Sequence, residues 1–540
     1  MKFDKFVEQA NQRIAVLFPG AALPRVVCNV PPAHVRAHVS LPWAMHAAKI
    51  LRKPPLEIAK AAAQALDGME GVVSAQPMPP GYINVEFKRE TLFGSFSLLL
   101  NPSSSGITET AAAARKKDVL IDFVSANPTG PLHMASGRGA ALGDSLIRIF
   151  RALGIDAAAE YYVNDFGNQV KLLGASLKAR FEEKEPPEDG YQGDYVKDLA
   201  KELPPAASGW TEEQFSGFAV TRILGMHQRD MRDFRVNFDR WFRESELHER
   251  RLAAETLEKL KKNGKTYEKD GAVWFASTSE ETGEDDKDRV LVRKDGSNTY
   301  FLNDLAYHND KLARAEKLIN IFGADHHGYV PRMKAGLAAM GFKSENFVVI
   351  VHQMVLLNKG GVAVKMSKRS GEFISLRELM DDVGVDACRF FFASRTPDSH
   401  LNFDIELAKK RSNENPVFYA QYVHARINSI FRTAAERGMK SEFSGITPPA
   451  KLTPQEEALI TKLVWFDETL SHCARDLSPH HLTAYLLELA GVFHQFYDNC
   501  RVLDEADPSA TQTRLFLCAA VAAVMRRGLD LIGVSAPDTM

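Results

Sequence analysis

Hydrophobic and polar positions recur along this chain in three regimes. Near the N-terminus a helical and a strand period mix. Ile58 to Leu66 is an alanine-rich run at helical spacing, and Tyr82 to Phe87 (Y-I-N-V-E-F) alternates as a strand after the Pro79-Pro80-Gly81 turn. Asn101 to Thr108, with Pro102, three serines and Gly106, reads as a linker. Beyond it, β-rich runs at Val119 to Val124, Ala157 to Val163, Leu318 to Phe322 and Phe347 to Val355 have helical patterns between several of them, the first from Gly137 to Leu153. This alternation predicts a parallel α/β sheet. The more charged stretch 166–290 breaks the rhythm and reads as an insertion, its acidic run Glu280 to Asp288 a solvated loop. From 409 onward strand signals vanish: Pro454 to Ser471, His480 to Cys500 and Thr511 to Ile532 are helical by pattern, with Thr453 as the cap before a proline at the first helical position. The expected organisation is a small α+β module at 1–112, an α/β unit at 113–408 interrupted at about 166–290, and an all-α module at 409–540.

Composition narrows the function classes. A chain of 540 residues fits about three domains, and 45% hydrophobic with 25% charged residues is ordinary for a globular protein. The net charge of −2, from 67 basic and 69 acidic residues, excludes an indiscriminate nucleic-acid coat; any RNA contact must come from local basic patches. Cys28, Cys388, Cys473, Cys500 and Cys518 form no C-x-x-C pair, which argues against a thiolate zinc knuckle and suits buried thiols in a reducing cytosol. No apolar run follows Met1-Lys2-Phe3-Asp4-Lys5, and Leu515 to Met525 is too short to span a bilayer. A cytoplasmic protein without a membrane partner is expected.

Two segments carry candidate chemistry. Ser125-Ala126-Asn127-Pro128-Thr129-Gly130-Pro131-Leu132-His133 lies between a strand and a helix, where a helix N-terminus offers free N–H groups to a phosphate and His133 could hydrogen-bond a phosphate oxygen. The other reading of His133 is a turn residue satisfied locally. Gly137-x-Gly139-x-x-x-Gly143 is one residue too long for a dinucleotide fingerprint and starts too far from its strand, and no G-x-x-x-x-G-K-[ST] occurs. The second segment, Lys365-Met366-Ser367-Lys368, places two lysines three apart after Lys359-Gly360-Gly361, a pattern suited to neutralising a polyphosphate; a lone K-x-x-K is commonly only a solvated loop.

Together the segments resemble the H-I-G-H and K-M-S-K signatures of class I aminoacyl-tRNA synthetases. Lys365 to Lys368 match fully, while His133 to Ser136 match only at the first His. Ser125 to Leu132, Tyr161 to Asp165, Tyr300 to Asp304, Gly323 to Tyr329, Asn413 to Tyr422 and Phe496 to Val502 resemble the bacterial arginyl enzymes over nearly the whole chain. The resemblance implies a Rossmann-like class I catalytic domain, an N-terminal additional domain that grips the tRNA corner, and a helical anticodon-binding domain. It implies ATP-dependent joining of L-arginine to tRNA(Arg) through an adenylate, with ATP and Mg²⁺, by a monomer. It places Asp122, Asn127, Tyr300 and Asp304 around the amino acid, with Asp304 at its charged end. Tyr300 and Asp304, four apart, share a face on a helix. His133, Gly137, Asp325, His326, His327, Lys365, Met366, Ser367 and Lys368 fall to ATP, and His133, Ser136, Lys365 and Lys368 to catalysis. Tyr82, Asn84, Tyr497, Asn499 and Arg501 fall to tRNA. A zinc reading of Asp325-His326-His327 stands second to nucleotide contact, so no protein-held metal is expected.

The match fails at Ala135, where the family has Gly, and at Ser136, where it has the second His. That leaves open a synthetase-like RNA-binding protein that has lost catalysis. A class I synthetase for another amino acid is opposed by Asp122 and Asp304, which an apolar substrate leaves unpaired. A small-molecule nucleotidyltransferase gives the helical C-terminus no task.

Overall fold

In the computed structural model, residues 3–32, 35–100, 116–278, 287–323, 329–360, 362–363, 374–441, 443 and 446–540 are described. The N-terminal module holds α1 (Asp4–Leu17), β1 (Val39–Leu41), α2 (Trp43–Leu51), α3 (Pro55–Leu66), β2 (Val72–Met78), β3 (Tyr82–Phe87) and α4 (Arg89–Leu100). Its antiparallel sheet runs β1-β3-β2. Alternation along β3 sends Ile83, Val85 and Phe87 into a core with α1 and α3, and Tyr82, Asn84 and Glu86 to the other face.

The central unit continues with β4 (Lys117–Asp122), α5 (Met134–Ala152), β5 (Ala157–Val163), α6 (Asn168–Phe181), α7 (Asp194–Lys201), α8 (Glu212–Asp233), β6 (Arg240–Arg243), α9 (Glu244–Glu249) and α10 (Leu252–Lys262). It goes on through β7 (Thr266–Lys269), β8 (Ala272–Phe275), β9 (Arg289–Val292), α11 (Tyr300–Arg314), β10 (Ala315–Gly323), α12 (Val330–Ala339), β11 (Phe347–His352), β12 (Val355–Lys359) and β13 (Val362–Ala363). It ends with α13 (Leu376–Val383), α14 (Val385–Ala393), β14 (Leu401–Asp404) and α15 (Ile405–Lys409). The main sheet has order β11-β10-β4-β5-β6, and every pairing in it is parallel. From β4 the chain builds outward on one side through β5 and β6, then returns to build the other through β10 and β11. The carboxyl end of β4 is therefore the switch point at which a ligand crevice opens in a doubly wound sheet. The stretch 166–290 contains the compact layer of α6, α7 and α8, but also β6, which belongs to the main sheet.

Glycine sets how closely α5 lies on this sheet. A Cβ on Gly143 would stand 2.3 Å from the Phe123 ring, and one on Gly137 2.6 Å from Leu376 Cδ1. The C-terminal module is all helical: α16 (Pro416–Glu436), α17 (Pro454–Val464), α18 (Phe466–Arg475), α19 (His480–Asn499) and α20 (Pro508–Leu531). The pattern read as one helix from Pro454 breaks at Trp465, whose indole N–H donates to the His38 carbonyl at 3.0 Å and whose ring meets Phe3 edge-on at 5.2 Å. The wholly buried Arg389 joins the carbonyls of Phe234 and Ile532 to the Asp144 carboxylate, tying the helical module to the central one.

Candidate active site

The crevice is built from the end of β4 outward. The chain leaves Asp122 and turns at Val124 and Ser125, with φ of 69° and 39°, left-handed conformations of non-glycine residues; each costs about 1–3 kcal/mol and persists only where surroundings enforce it. Several do. The Ser125 hydroxyl donates to Asp122 Oδ1 at 2.6 Å and accepts from the Tyr162 N–H at 3.0 Å. The Tyr161 hydroxyl lies 3.2 Å from the Ala126 nitrogen, 3.0 Å from its carbonyl oxygen and 3.1 Å from His227 Nδ1. Tyr195 donates to the Thr129 carbonyl at 2.6 Å, and His227 Nε2 to the Gly130 carbonyl at 2.7 Å. Asn127 is exposed and donates to Gln169 on α6 at 2.6 Å.

His133 is the N-cap of α5. Its Nδ1 accepts from the Ala135 N–H at 3.1 Å, so a neutral ring carries its proton on Nε2. Ser136 follows in the first turn, half-buried, its N–H donating to the His133 carbonyl at 2.9 Å. Gly137 faces Leu376 and Phe392, so its evident role is close packing of α5 against α13 and α14. The His133 segment pairs with the start of α13: His133 bridges Ser375, and the Leu376 N–H donates to the Leu132 carbonyl at 2.8 Å. The chain on either side of Lys365 to Lys368 is thus anchored in the same region, β12 and β13 before it and α13 after. Lys365, Met366, Ser367 and Lys368 themselves, with Asp325, His326 and His327, lie outside the described residues.

Asp122 is 3% exposed. Its Oδ2 accepts from Lys311 Nζ at 2.9 Å and the Tyr307 hydroxyl at 3.1 Å. Lys311 also donates to Asn320 Oδ1 at 3.0 Å, and its ammonium sits 4.2 Å from the Tyr307 ring centre. The Asn320 amide reaches His308 Nε2 at 2.8 Å, and His308 Nδ1 donates to the Asp304 carbonyl at 2.8 Å. Burial, then the Lys311 charge, hold His308 well below its ordinary pKa, so it stays neutral and keeps this direction of bonding. An unbroken polar chain therefore links the switch point to Asp304 on α11.

Asp304 faces a second acid. Burial and the charge of Glu244 push its pKa up to about 7, against the opposing pull of Arg332, a hydrogen bond from Tyr329, and Lys311. Burial likewise raises Glu244, despite hydrogen bonds from Tyr162 and Asn303, and Asp165 adds to the rise. With its amide nitrogen turned inward, Asn164 also donates to Glu244 Oε2 at 2.8 Å. Glu244 is buried and Asp304 half-buried, and two acids near enough for one charge to raise the other favour a cation carrying several N–H donors. At the mouth, Tyr300 begins α11 with 69% of its surface exposed, one turn before Asp304, and exposed Phe166 packs its ring 4.6 Å from His248. Sequence reading named Asp304 and Tyr300 but not Glu244, Lys311 or His227. Glu244 carries only the signal of an acidic first-turn residue, and no local pattern marks a lysine that is buried.

The candidate RNA residues divide. Tyr82 is half-buried on the outer face of β3. Beside it Asn84 is 7% exposed, with an Oδ1 that has no partner among the described residues. Tyr497 and Arg501 line a pocket of about 450 Å³ with Arg426 and Arg437, where the Arg426 guanidinium stands 5.2 Å from both the Tyr422 and Tyr497 ring centres. Asn499 bonds back to the Gln495 carbonyl of its own helix at 2.8 Å and does not line that pocket. Among the described residues no group of three or more His, Cys, Asp or Glu could hold a metal ion, and no helix is long and apolar enough to cross a membrane.

Three family models match the chain: an arginyl-tRNA synthetase N-terminal domain over residues 3–87, a class I (R) tRNA synthetase catalytic domain over 100–429, and a DALR anticodon-binding domain over 420–540. The chain is similar to the arginine–tRNA ligase of Elusimicrobium minutum, 56% identical over 97% of each chain. It is also similar to that of Bacillus licheniformis, 41% identical over 96% of this chain and 95% of the other. In fold it resembles the arginyl-tRNA synthetase of Thermus thermophilus, with a TM-score of 0.79 over the whole of both chains at 23% identity.

Proposed function

The chain belongs to the arginyl-tRNA synthetase family, and from that premise we propose how its crevice carries out the reaction. The protein attaches arginine to tRNA(Arg) at the expense of ATP, by way of an arginyl-adenylate. The observation that carries the site reading is the hydrogen-bonded chain from Asp122 through Lys311, Asn320 and His308 to the Asp304 carbonyl, with Glu244 close enough to Asp304 for its charge to raise that acid. Arginine brings a guanidinium with five donors in a planar fork, which matches facing carboxylates better than the point charge of a lysine. Asp304 takes the guanidinium, Glu244 backs it, and Tyr300 covers the entrance. Asp122, engaged with Lys311, Tyr307 and Ser125, sets the floor of the pocket, and Asn127 lies on the side of the arginine carboxylate.

In activation the arginine carboxylate attacks the α-phosphorus of ATP, and the bond to the bridging oxygen of pyrophosphate breaks. The nucleophile is ionised at neutral pH, so no general base is required; rate comes from placement and charge neutralisation. His133 Nε2 and the N-terminus of α5 hold phosphate oxygens on one side, and Lys365 and Lys368 neutralise pyrophosphate on the other, with Asp325, His326 and His327 on the nucleoside. Magnesium brought in with ATP would lend positive charge to the leaving pyrophosphate. In transfer, a ribose hydroxyl of the terminal adenosine attacks the arginyl carbonyl and AMP leaves. Tyr82 and Asn84 meet a splayed base at the tRNA corner. Tyr497 and Arg501, with Arg426, meet the anticodon. A cytoplasmic monomer fits this role. Charging of bulk tRNA with each amino acid in turn tests the reading: arginine alone should be transferred, and preference for any other amino acid would overturn it.

A further inference from the structure

We propose that helix α8 ties the loop ahead of His133 to the start of α13, and that His227 and Asp230 are positioning residues for amino-acid activation. The proposal rests on the reading above. His227 is wholly buried on α8, and its two ring nitrogens reach the first segment in different ways. Nε2 points at the Gly130 carbonyl at 2.7 Å and must carry the hydrogen of that bond. Burial lowers the His227 pKa, so the ring is neutral and Nδ1 presents a lone pair to the Tyr161 hydroxyl at 3.1 Å. That hydroxyl gives its one proton to Nδ1 and accepts from the Ala126 N–H at 3.2 Å. Every one of these pins ends on the backbone of the loop between Asp122 and His133, as does that from Tyr195 to the Thr129 carbonyl. They fix where the loop runs and read none of its side chains.

One turn further along the same helix, Asp230 Oδ1 accepts from Arg377 Nε at 3.0 Å and Nη2 at 2.7 Å, and Asp233 Oδ2 takes Nη2 at 2.7 Å. Arg377 stands in the first turn of α13, two residues past the Ser375 that bridges His133. A single helix therefore holds the loop ahead of His133 at one point and the start of α13 at another. The His133–Ser375 bridge closes the triangle. The loop leaves β4 with Val124 and Ser125 at positive φ, a path it would not keep unaided.

The test uses the full chain with tRNA(Arg) and measures arginine-dependent ATP–pyrophosphate exchange. His227→Leu removes both ring contacts. His227→Gln keeps an N–H for Gly130 and an oxygen for Tyr161. Arg377→Gln cuts the α13 anchor at a partly exposed site. The leucine and Arg377→Gln variants should lose about ten- to a hundredfold in kcat, with a raised KM for ATP and a tRNA dissociation constant near that of the wild type. His227→Gln should recover most of the loss, and the double variant His227→Leu/Arg377→Gln should lose less than the product of the singles. The proposal is overturned if the folded single variants keep wild-type kcat and KM for ATP. It is equally overturned if His227→Gln fares no better than leucine, or if activity follows only the unfolding temperature. A wild-type chain that performs no exchange with arginine overturns the functional reading instead.

Discussion

Lys311 and Asp122, 189 residues apart in sequence, form an ion pair at 2.9 Å in which the ammonium side chain is 0% and the carboxylate side chain 4% exposed. The remaining valences of both groups are met by Tyr307, Ser125 and Asn320, so the desolvation of two charges is offset by a full set of partners. Removing one charge strands the other. Lys311→Met should cost about 3–5 kcal/mol of unfolding free energy, and Asp122→Asn added to it should return a substantial fraction. Urea denaturation of the wild type and both variants checks this. A loss below about 1 kcal/mol for the single change means that Tyr307 and Ser125 alone satisfy the carboxylate.

Arginine affinity should depend on pH through Asp304. Its pKa is raised from 3.8 to about 7, first by burial and then by Glu244. Between those values the folded protein holds a proton that the unfolded chain has released. The group's contribution to stability is therefore full at low pH and is lost as pH rises through about 7. Arginine binding runs the opposite way, because the guanidinium pairs with the ionised acid and expels the proton. Below about 7 the dissociation constant should climb, by up to about tenfold per pH unit. Calorimetric titration in buffers of different ionisation enthalpy should register proton release on binding. Asp304→Asn should weaken binding and flatten the profile, and a flat wild-type profile moves the guanidinium elsewhere.

Much of this was legible in sequence because it is local. The strands Tyr82–Phe87 and Ala157–Val163 appear with the bounds their alternation and β-rich runs predict, and α5, α19 and α20 follow their helical spacing within a few residues. Thr453 makes the cap read from its place before Pro454. β6 was missed because its four residues, R-W-F-R, offer neither an apolar run nor a turn signal of their own. The pins on the Ala126–Gly130 loop were missed for another reason. Tyr161 and His227 meet across 66 residues, and no periodicity encodes such a contact. Lys311 sits near a helix end, where a lysine is ordinarily solvated; only the fold reveals that Asp122 waits beneath it.

The pocket around Arg426 should contribute to RNA affinity and not to chemistry. Arg426 stacks on Tyr422 and Tyr497 beside Arg437 and Arg501, an arrangement that joins a phosphate-binding charge to faces on which a base can stack. Arg426→Gln should weaken binding of an anticodon stem-loop and lower the slope of log affinity against log salt by about 1, with the KM values for ATP and arginine unchanged. An unaltered salt slope removes the pocket from the interface.

The altered first signature should limit activation without abolishing it. His133 already spends Nδ1 on the Ala135 N–H, so its Nε2 is the side of the ring that can donate to a phosphate. The residue three positions on is Ser136, half-buried in the first turn of α5, and a hydroxyl there donates one hydrogen bond but carries no charge toward the triphosphate. The H-I-G-H signature has glycine where Ala135 stands, and a methyl on a backbone that adenine approaches would push the base away. Ser136→His should therefore raise the exchange rate, and Ala135→Gly should lower the KM for ATP. Each is measured by steady-state exchange at varied ATP. If Ser136→His leaves kcat unchanged, the helix N-terminus and His133 already supply the stabilisation on that side, and the slow element of activation lies with the opposing segment.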